Sequence, residues 1–133
     1  MGQATDATML MSFLSVALGG AIGSSLRFGA GVLMLRLVGS GFPLAILSVN
    51  VIGSFLMGLF VVYSFQRGLE HYNLFVMTGI LGGFTTFSAF SLEAFTLFER
   101  GQIASAALYV LLSVVVSISG LVLGVWIARM VWA

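Results

Sequence analysis

Nine charged side chains divide this chain: Asp6, Arg27, Arg36, Arg67, Glu70, Glu93, Glu99, Arg100 and Arg129. Between them lie four long uncharged runs, Ala7 to Leu26, Leu37 to Gln66, His71 to Leu92 and Gly101 to Ala128. Each run can cross the hydrocarbon of a bilayer as a tilted helix, which takes ~20 apolar residues. Strands crossing lipid would need alternating ten-residue patterns closed into a barrel, and no such pattern is present. Sixty per cent of the 133 residues are hydrophobic and 7% charged, so almost nothing is left to form a soluble domain. The expected fold is an all-α integral membrane protein, with residues 1–133 forming one four-helix transmembrane unit. Disorder, a nucleic-acid module, a secreted disulfide scaffold and a Cys-ligated metal site are excluded, the last two because the chain has no cysteine.

The first run is expected to stay in the membrane and not to be a cleaved leader, because Asp6 precedes it where a leader carries positive charge. The joints are short: Gly39-Ser-Gly-Phe-Pro43, Arg67-Gly-Leu-Glu-His-Tyr-Asn73 and Phe98-Glu-Arg-Gly-Gln102. Pro43, the single proline, fits the first turn of the second helix. Trp126 and Trp132 suit a water interface.

Four spans put both termini and the second joint on one side, with Arg67 and Arg129. Arg36, Arg100 and, if it lies in a joint, Arg27 fall on the other. Orientation follows the Lys/Arg bias of the joints, and here there is almost none. Either an external factor orients the chain, or it inserts both ways and pairs head to tail, which is the reading adopted. Three glycine pairs, Gly19/Gly23, Gly79/Gly83 and Gly120/Gly124, have the spacing that lets helices approach closely in lipid. A single pair is expected to pack within the chain; three pairs on four helices suggest an oligomer.

Some polar groups within the spans need explaining. Asn50 lies in the second run on a face with Gly53 and Ser54. Its amide either bonds two helices together or serves as a donor lining a pore. Ser105, Tyr109, Ser113 and Ser117 recur every four residues, one stripe of the fourth helix. They form either a ladder of donors for a partly dehydrated ion or a polar seam between helices. In the third run, Gly82-Gly83 followed by two β-branched threonines is poor helix chemistry. A break there would free carbonyls at membrane depth, which is tolerated only against a cavity, an ion or protein. Phe84, Phe87 and Phe90 follow at intervals of three. Arg27 and Glu93 are the ionisable groups closest to the hydrocarbon, where such groups are functional candidates unless they snorkel to the interface.

Gly82-Gly-Phe-Thr-Thr-Phe-Ser-Ala-Phe-Ser-Leu-Glu93 closely resembles the signature of the Fluc fluoride channels, also called CrcB. Gly19-Gly-Ala-Ile-Gly-Ser-Ser-Leu-Arg27 and Val49-Asn50-Val-Ile-Gly53 carry the same resemblance, which covers essentially the whole chain. It implies an antiparallel dual-topology homodimer in the lipid bilayer, with a broken third helix and two fluoride pathways. By resemblance Asn50, Phe87 and Phe90 line the pathway, Tyr109, Ser113 and Ser117 match its polar track, and backbone oxygens of Gly82 and Thr85 match a central structural sodium site. Arg27 and Glu93 match charged positions of the family. One position departs: Ala89 stands where threonine is common.

The expected function is passive, fluoride-selective export through the inner membrane of a bacterium, without enzyme activity. An inside-negative potential, worth ~2.3 kcal/mol per charge per 100 mV, drives the anion outward without a pump. The rival reading is a small dual-topology multidrug/proton antiporter. Such exporters use a glutamate in the first helix, and the first run has no acid between Asp6 and Arg27.

Overall fold

A computed structural model gives the fold; it describes the backbone from Gly2 to Ala133 and the side chains from Thr5 onward. Four helical segments long and apolar enough to span a membrane run Thr5–Val38, Leu44–Arg67, Glu70–Glu99 and Ile103–Trp132. Helix α1 covers Gly2–Val38 and α2 covers Leu44–Arg67. The third span begins with a short 3-10 turn, Glu70–Tyr72, and continues as a π-helix, Leu74–Leu81. A last α-helical turn, α3 (Gly82–Phe84), ends its first half. The second half is α4, Phe87–Glu99, and α5 is Ile103–Trp132.

Two expectations about boundaries change. Arg27 is not in a joint: α1 runs 37 residues, about 55 Å at 1.5 Å per residue, well beyond the ~30 Å of hydrocarbon. One charge on a helix face does not interrupt backbone hydrogen bonding, so it marks no helix end. The arginines of the two sides then balance, Arg67 and Arg129 against Arg36 and Arg100. Pro43 sits just before α2 as its N-cap and not inside its first turn; a residue without an N–H is equally undemanding there. The joints turn where left-handed backbone is needed, at Gly39 (φ 85°) and Gly68 (φ 66°), conformations that side chains with a Cβ avoid.

The helices pack as two pairs, α1 on the first half of the third span and α2 on α5, with α4 leaning on α5. Glycines make both pairs possible. A Cβ on Gly79 would lie 2.8 Å from the Cα of Gly19, and one on Gly83 would lie 2.8 Å from the carbonyl oxygen of Gly20. In the other pair, Gly58 seats against the Leu121 carbonyl and Gly124 against the Phe55 carbonyl. All three glycine pairs of the sequence are therefore used within one chain, and they carry no evidence for an oligomer. Without a hydrophobic drive between helices in lipid, this backbone contact supplies the packing.

The third span does break, but at Thr85–Thr86 and not at Gly82–Gly83. Gly82 is helical (φ −63°, ψ −37°), whereas Thr85 (φ −88°, ψ 158°) and Thr86 (φ −154°, ψ 125°) are extended. Helix is merely weakened by glycine, and close packing of Gly83 on α1 helps to hold this turn helical. Two consecutive β-branched residues favour extended backbone, and there the chain leaves the helix.

Candidate functional site: a cavity at the helix break

The break removes backbone partners, and three side chains replace them. Asn50, half-buried on α2, meets the Thr86 peptide with both ends of its amide. Its Nδ2 donates to the Thr86 carbonyl (3.0 Å), and the Thr86 N–H donates to its Oδ1 (2.8 Å). Thr86 then caps α4, its Oγ1 accepting from the Ala89 N–H at 3.1 Å, the usual work of a threonine at a helix N-terminus. Arg27 Nε donates to the Gly83 carbonyl at 3.1 Å.

These bonds redirect two donors. In a continuous helix the Thr86 N–H would bond to the carbonyl of Gly82, and the Ala89 N–H to that of Thr85. Both go to side chains, so Gly82 and Thr85 lose their i+4 donors. The first of the two readings of Asn50 is what the bonds show. The amide does bond α2 to the third span, yet it has a second N–H that neither bond uses.

Beside the break lies a cavity of about 480 Å³, lined among others by Asn50, Ser54, Gly82, Thr85, Thr86, Phe87, Phe90, Ser113 and Ser117. Seven of the residues singled out in the sequence thus meet in one place. Ser113 is buried, and the hydroxyls of Tyr109, Ser113 and Ser117 are enclosed without a hydrogen-bond partner. The seam reading of the α5 stripe required them to bond across to a neighbouring helix, and they do not. A buried hydroxyl without a partner costs about 1–3 kcal/mol; of the three, Ser113 and Ser117 line this cavity, where an occupant would accept their hydrogens.

The aromatic residues divide. Phe90 is buried (7% exposed) and Tyr109 fully so, whereas Phe87 is 77% exposed. The rings form a continuous line: Phe42 edge-on to Tyr109 (5.6 Å), Tyr109 to Phe90 (5.3 Å), and Phe90 edge-on to Phe87 (5.3 Å). Beyond Phe42, a second cavity of about 250 Å³ reaches the α1–α2 joint, lined by Phe42, Pro43, Glu93, Thr96 and Arg100 among others. The ring line thus stands between two cavities, one at the α1–α2 joint and one at the break.

Arg27 and Glu93 are not brought to the first cavity. Glu93 lines the outer one, and Arg27 reaches the break from α1. Sequence reasoning gave no site role to Thr86, Phe42 or Ser54, although it set Ser54 on the face of Asn50. The threonine had a legible signal, since a hydroxyl residue ahead of a helical stretch is a capping residue. Ser54 had its place one turn from Asn50, and Phe42 had no signal, because it enters only through packing.

The family model described as CrcB-like protein, Camphor Resistance (CrcB), matches residues 14–125. The chain belongs to the CrcB-like family. It is 58% identical over 125 residues to a protein of Roseobacter denitrificans named fluoride-specific ion channel FluC, covering 92% of this chain and 99% of that protein. It is 60% identical over 122 residues to the Ruegeria sp. protein of the same name (91% and 97%), and 50% identical over 125 residues to that of Paracoccus denitrificans (94% and 100%). This CrcB-like chain is thus a multi-pass membrane protein of a family whose relatives are named as ion channels, not enzymes.

Proposed function

We propose that this CrcB-like protein is a passive, fluoride-selective channel that exports fluoride through the inner membrane of a bacterium. The observation that carries the reading is the stripe of three buried hydroxyls without partners, running beside Phe90 and the Asn50 amide. Fluoride is small and strongly hydrated, and a pore must replace its water with close donors. Hydroxyls of Tyr109, Ser113 and Ser117, the spare Asn50 N–H and the positive edges of Phe87 and Phe90 are of the right kind. No step needs a nucleotide or a proton carrier, because the membrane potential moves the anion. The names of the relatives, drawn from bacteria, point the same way.

The reading includes an antiparallel homodimer with two pathways. Its support is the even arginine split and the exposure of Phe87, an aromatic of the proposed pathway that one chain leaves uncovered. A second copy would cover that ring and close the cavity. A cysteine at Ala133, in a chain with none of its own, is expected to be labelled from both sides of intact cells; labelling from one side alone would reject dual topology.

A structural sodium ion belongs to the same proposal, held by the backbone oxygens of Gly82 and Thr85. The fit rests on donor chemistry: these two carbonyls have lost their helix donors to Asn50 and Thr86. Two from each of two chains make a hard four-oxygen set that suits Na⁺, and no cluster of His, Asp or Glu among the described residues offers a competing metal site. When bound, the ion would supply positive charge to carbonyls at membrane depth.

The deciding experiment is fluoride efflux from proteoliposomes, run beside chloride efflux and proton-coupled uptake of a cationic dye. Fast fluoride release with negligible chloride release and no dye uptake is expected. Dye uptake would support the antiporter instead, and no transport at all would reject both.

A further inference from the structure

We propose that Arg27 is a positioning residue of this site: by capping the Gly83 carbonyl it ends the first half of the third span, so that the break leaves open the carbonyls of Gly82 and Thr85 but not that of Gly83. Arg27 lies inside α1, nine residues before Arg36, or about 13 Å deeper at 1.5 Å per residue. A guanidinium at that depth is costly and must be matched by something. Its matched partner is a helix end. In a continuous helix the Gly83 carbonyl would accept from Phe87 N–H, but Phe87 starts α4 beyond the two extended threonines. The Arg27 Nε takes that place at 3.1 Å. The C-terminal end of a helix carries partial negative charge from its unpaired carbonyls, and a cation there is stabilised.

The sequence builds this contact as a register. Gly20, Ser24 and Arg27 fall on one face of α1, spaced four and three residues apart. Gly83 seats on the first two, since a Cβ there would lie 2.8 Å from the Gly20 oxygen and 3.1 Å from the Ser24 nitrogen. The Ser24 hydroxyl is spent on its own helix, bonded back to Gly20 O at 2.7 Å. The next residue on the face, Arg27, then arrives at the Gly83 oxygen. Asn50 fixes the far side of the break from α2, and Arg27 fixes the near side from α1. Between them Phe84 and Thr85 are the residues whose backbone neither of them touches.

The alternative role for Arg27 is a positive charge that draws anions in, and side-chain geometry separates the two. The amide nitrogen of glutamine lies as many bonds from Cα as the arginine Nε, so Arg27→Gln keeps the donor and removes the charge. Arg27→Lys keeps the charge and moves the donor, and Arg27→Met removes both. The inference rests on the channel reading for its transport readout alone; hydrogen exchange of the amides from Gly82 to Ala89, in the purified full chain, reads it independently. Arg27→Gln is expected to hold efflux within about threefold of wild type with native exchange. Arg27→Met is expected to lose at least about tenfold in efflux and to exchange at least about tenfold faster across the break. Glutamine behaving like methionine in both readouts, or methionine with native exchange, overturns the proposal. If Arg27→Met does not fold, glutamine against lysine decides it: glutamine closer to wild type supports the cap, lysine closer to wild type overturns it. A wild-type chain that does not conduct fluoride would reject the channel reading and leave the exchange comparison to judge Arg27.

Discussion

Two sets of hydroxyls lie in different spans and are treated in opposite ways. Ser24, Ser91 and Thr96 each donate to the carbonyl four residues back, at 2.7, 2.9 and 2.7 Å. This is how a membrane serine or threonine normally satisfies itself. Tyr109, Ser113 and Ser117 are buried with no partner at all. A hydroxyl bonded to its own helix is chemically silent, whereas one held open in a dry place is available to a ligand. The spacing of four that marked the α5 stripe in the sequence is therefore less informative than what each oxygen meets. Serine occurs in both sets, and only its surroundings separate the silent from the open.

The same contrast predicts an order of effects. Asn50→Asp is expected to be the most damaging change. It removes the donor to the Thr86 carbonyl and sets a carboxylate against that oxygen, in a cavity meant for an anion. Fluoride efflux should fall by about a hundredfold or more, equivalent to ~2.7 kcal/mol at the barrier. Near-normal efflux from Asn50→Asp would make the cavity a packing defect and not a path.

Phe90→Ile comes next. It removes a buried ring that touches both Tyr109 and Phe87, and with it the polar edge, at similar bulk. A loss of about tenfold or more is expected, with the protein still eluting at its wild-type size. Equal efflux in Phe90→Ile would show that bulk, not ring polarity, is what the site uses.

The sharpest test of the comparison is a paired one. Replacing both Ser113 and Ser117 by alanine should slow efflux by about tenfold while stability stays level or rises, because no satisfied bond is lost and buried unpaired groups go. Ser91→Ala, which removes a hydroxyl already bonded to its own helix, is expected to change efflux by less than about twofold. Thermal melts run with the efflux assay read both halves. If the double variant melts lower and Ser91→Ala transports more slowly, the division between silent and open hydroxyls is wrong.

Thr86→Ala is expected to have the smallest structural effect that can still be measured. Losing the cap on Ala89 N–H should cost about 1 kcal/mol of stability, read as an earlier melt. The Asn50 bonds to the Thr86 backbone survive, so the break should stay where it is.

The sequence alone determined the number of spans, their order and the residues worth watching. A run of apolar residues as long as a bilayer is thick has one economical fate, and Gly82-Gly-Phe-Thr-Thr-Phe carries its own warning of irregular backbone. It misplaced the break by two to three residues because it weighed glycine as a helix breaker, while Gly82 and Gly83 stay helical, Gly83 packed against Gly20, and β-branching extends Thr85 and Thr86. It also treated Arg27 as an edge, since a charge in a sequence looks like a boundary until a helix end is found opposite it. Which donors Asn50 spends, which carbonyls lose theirs, and which hydroxyls stay open were decided only by the tertiary structure. Hydrogen bonds between residues 36 and 56 positions apart have no local signature. They exist because close helix packing brings those side chains to the break, and a pattern read along one chain cannot contain the distance across two.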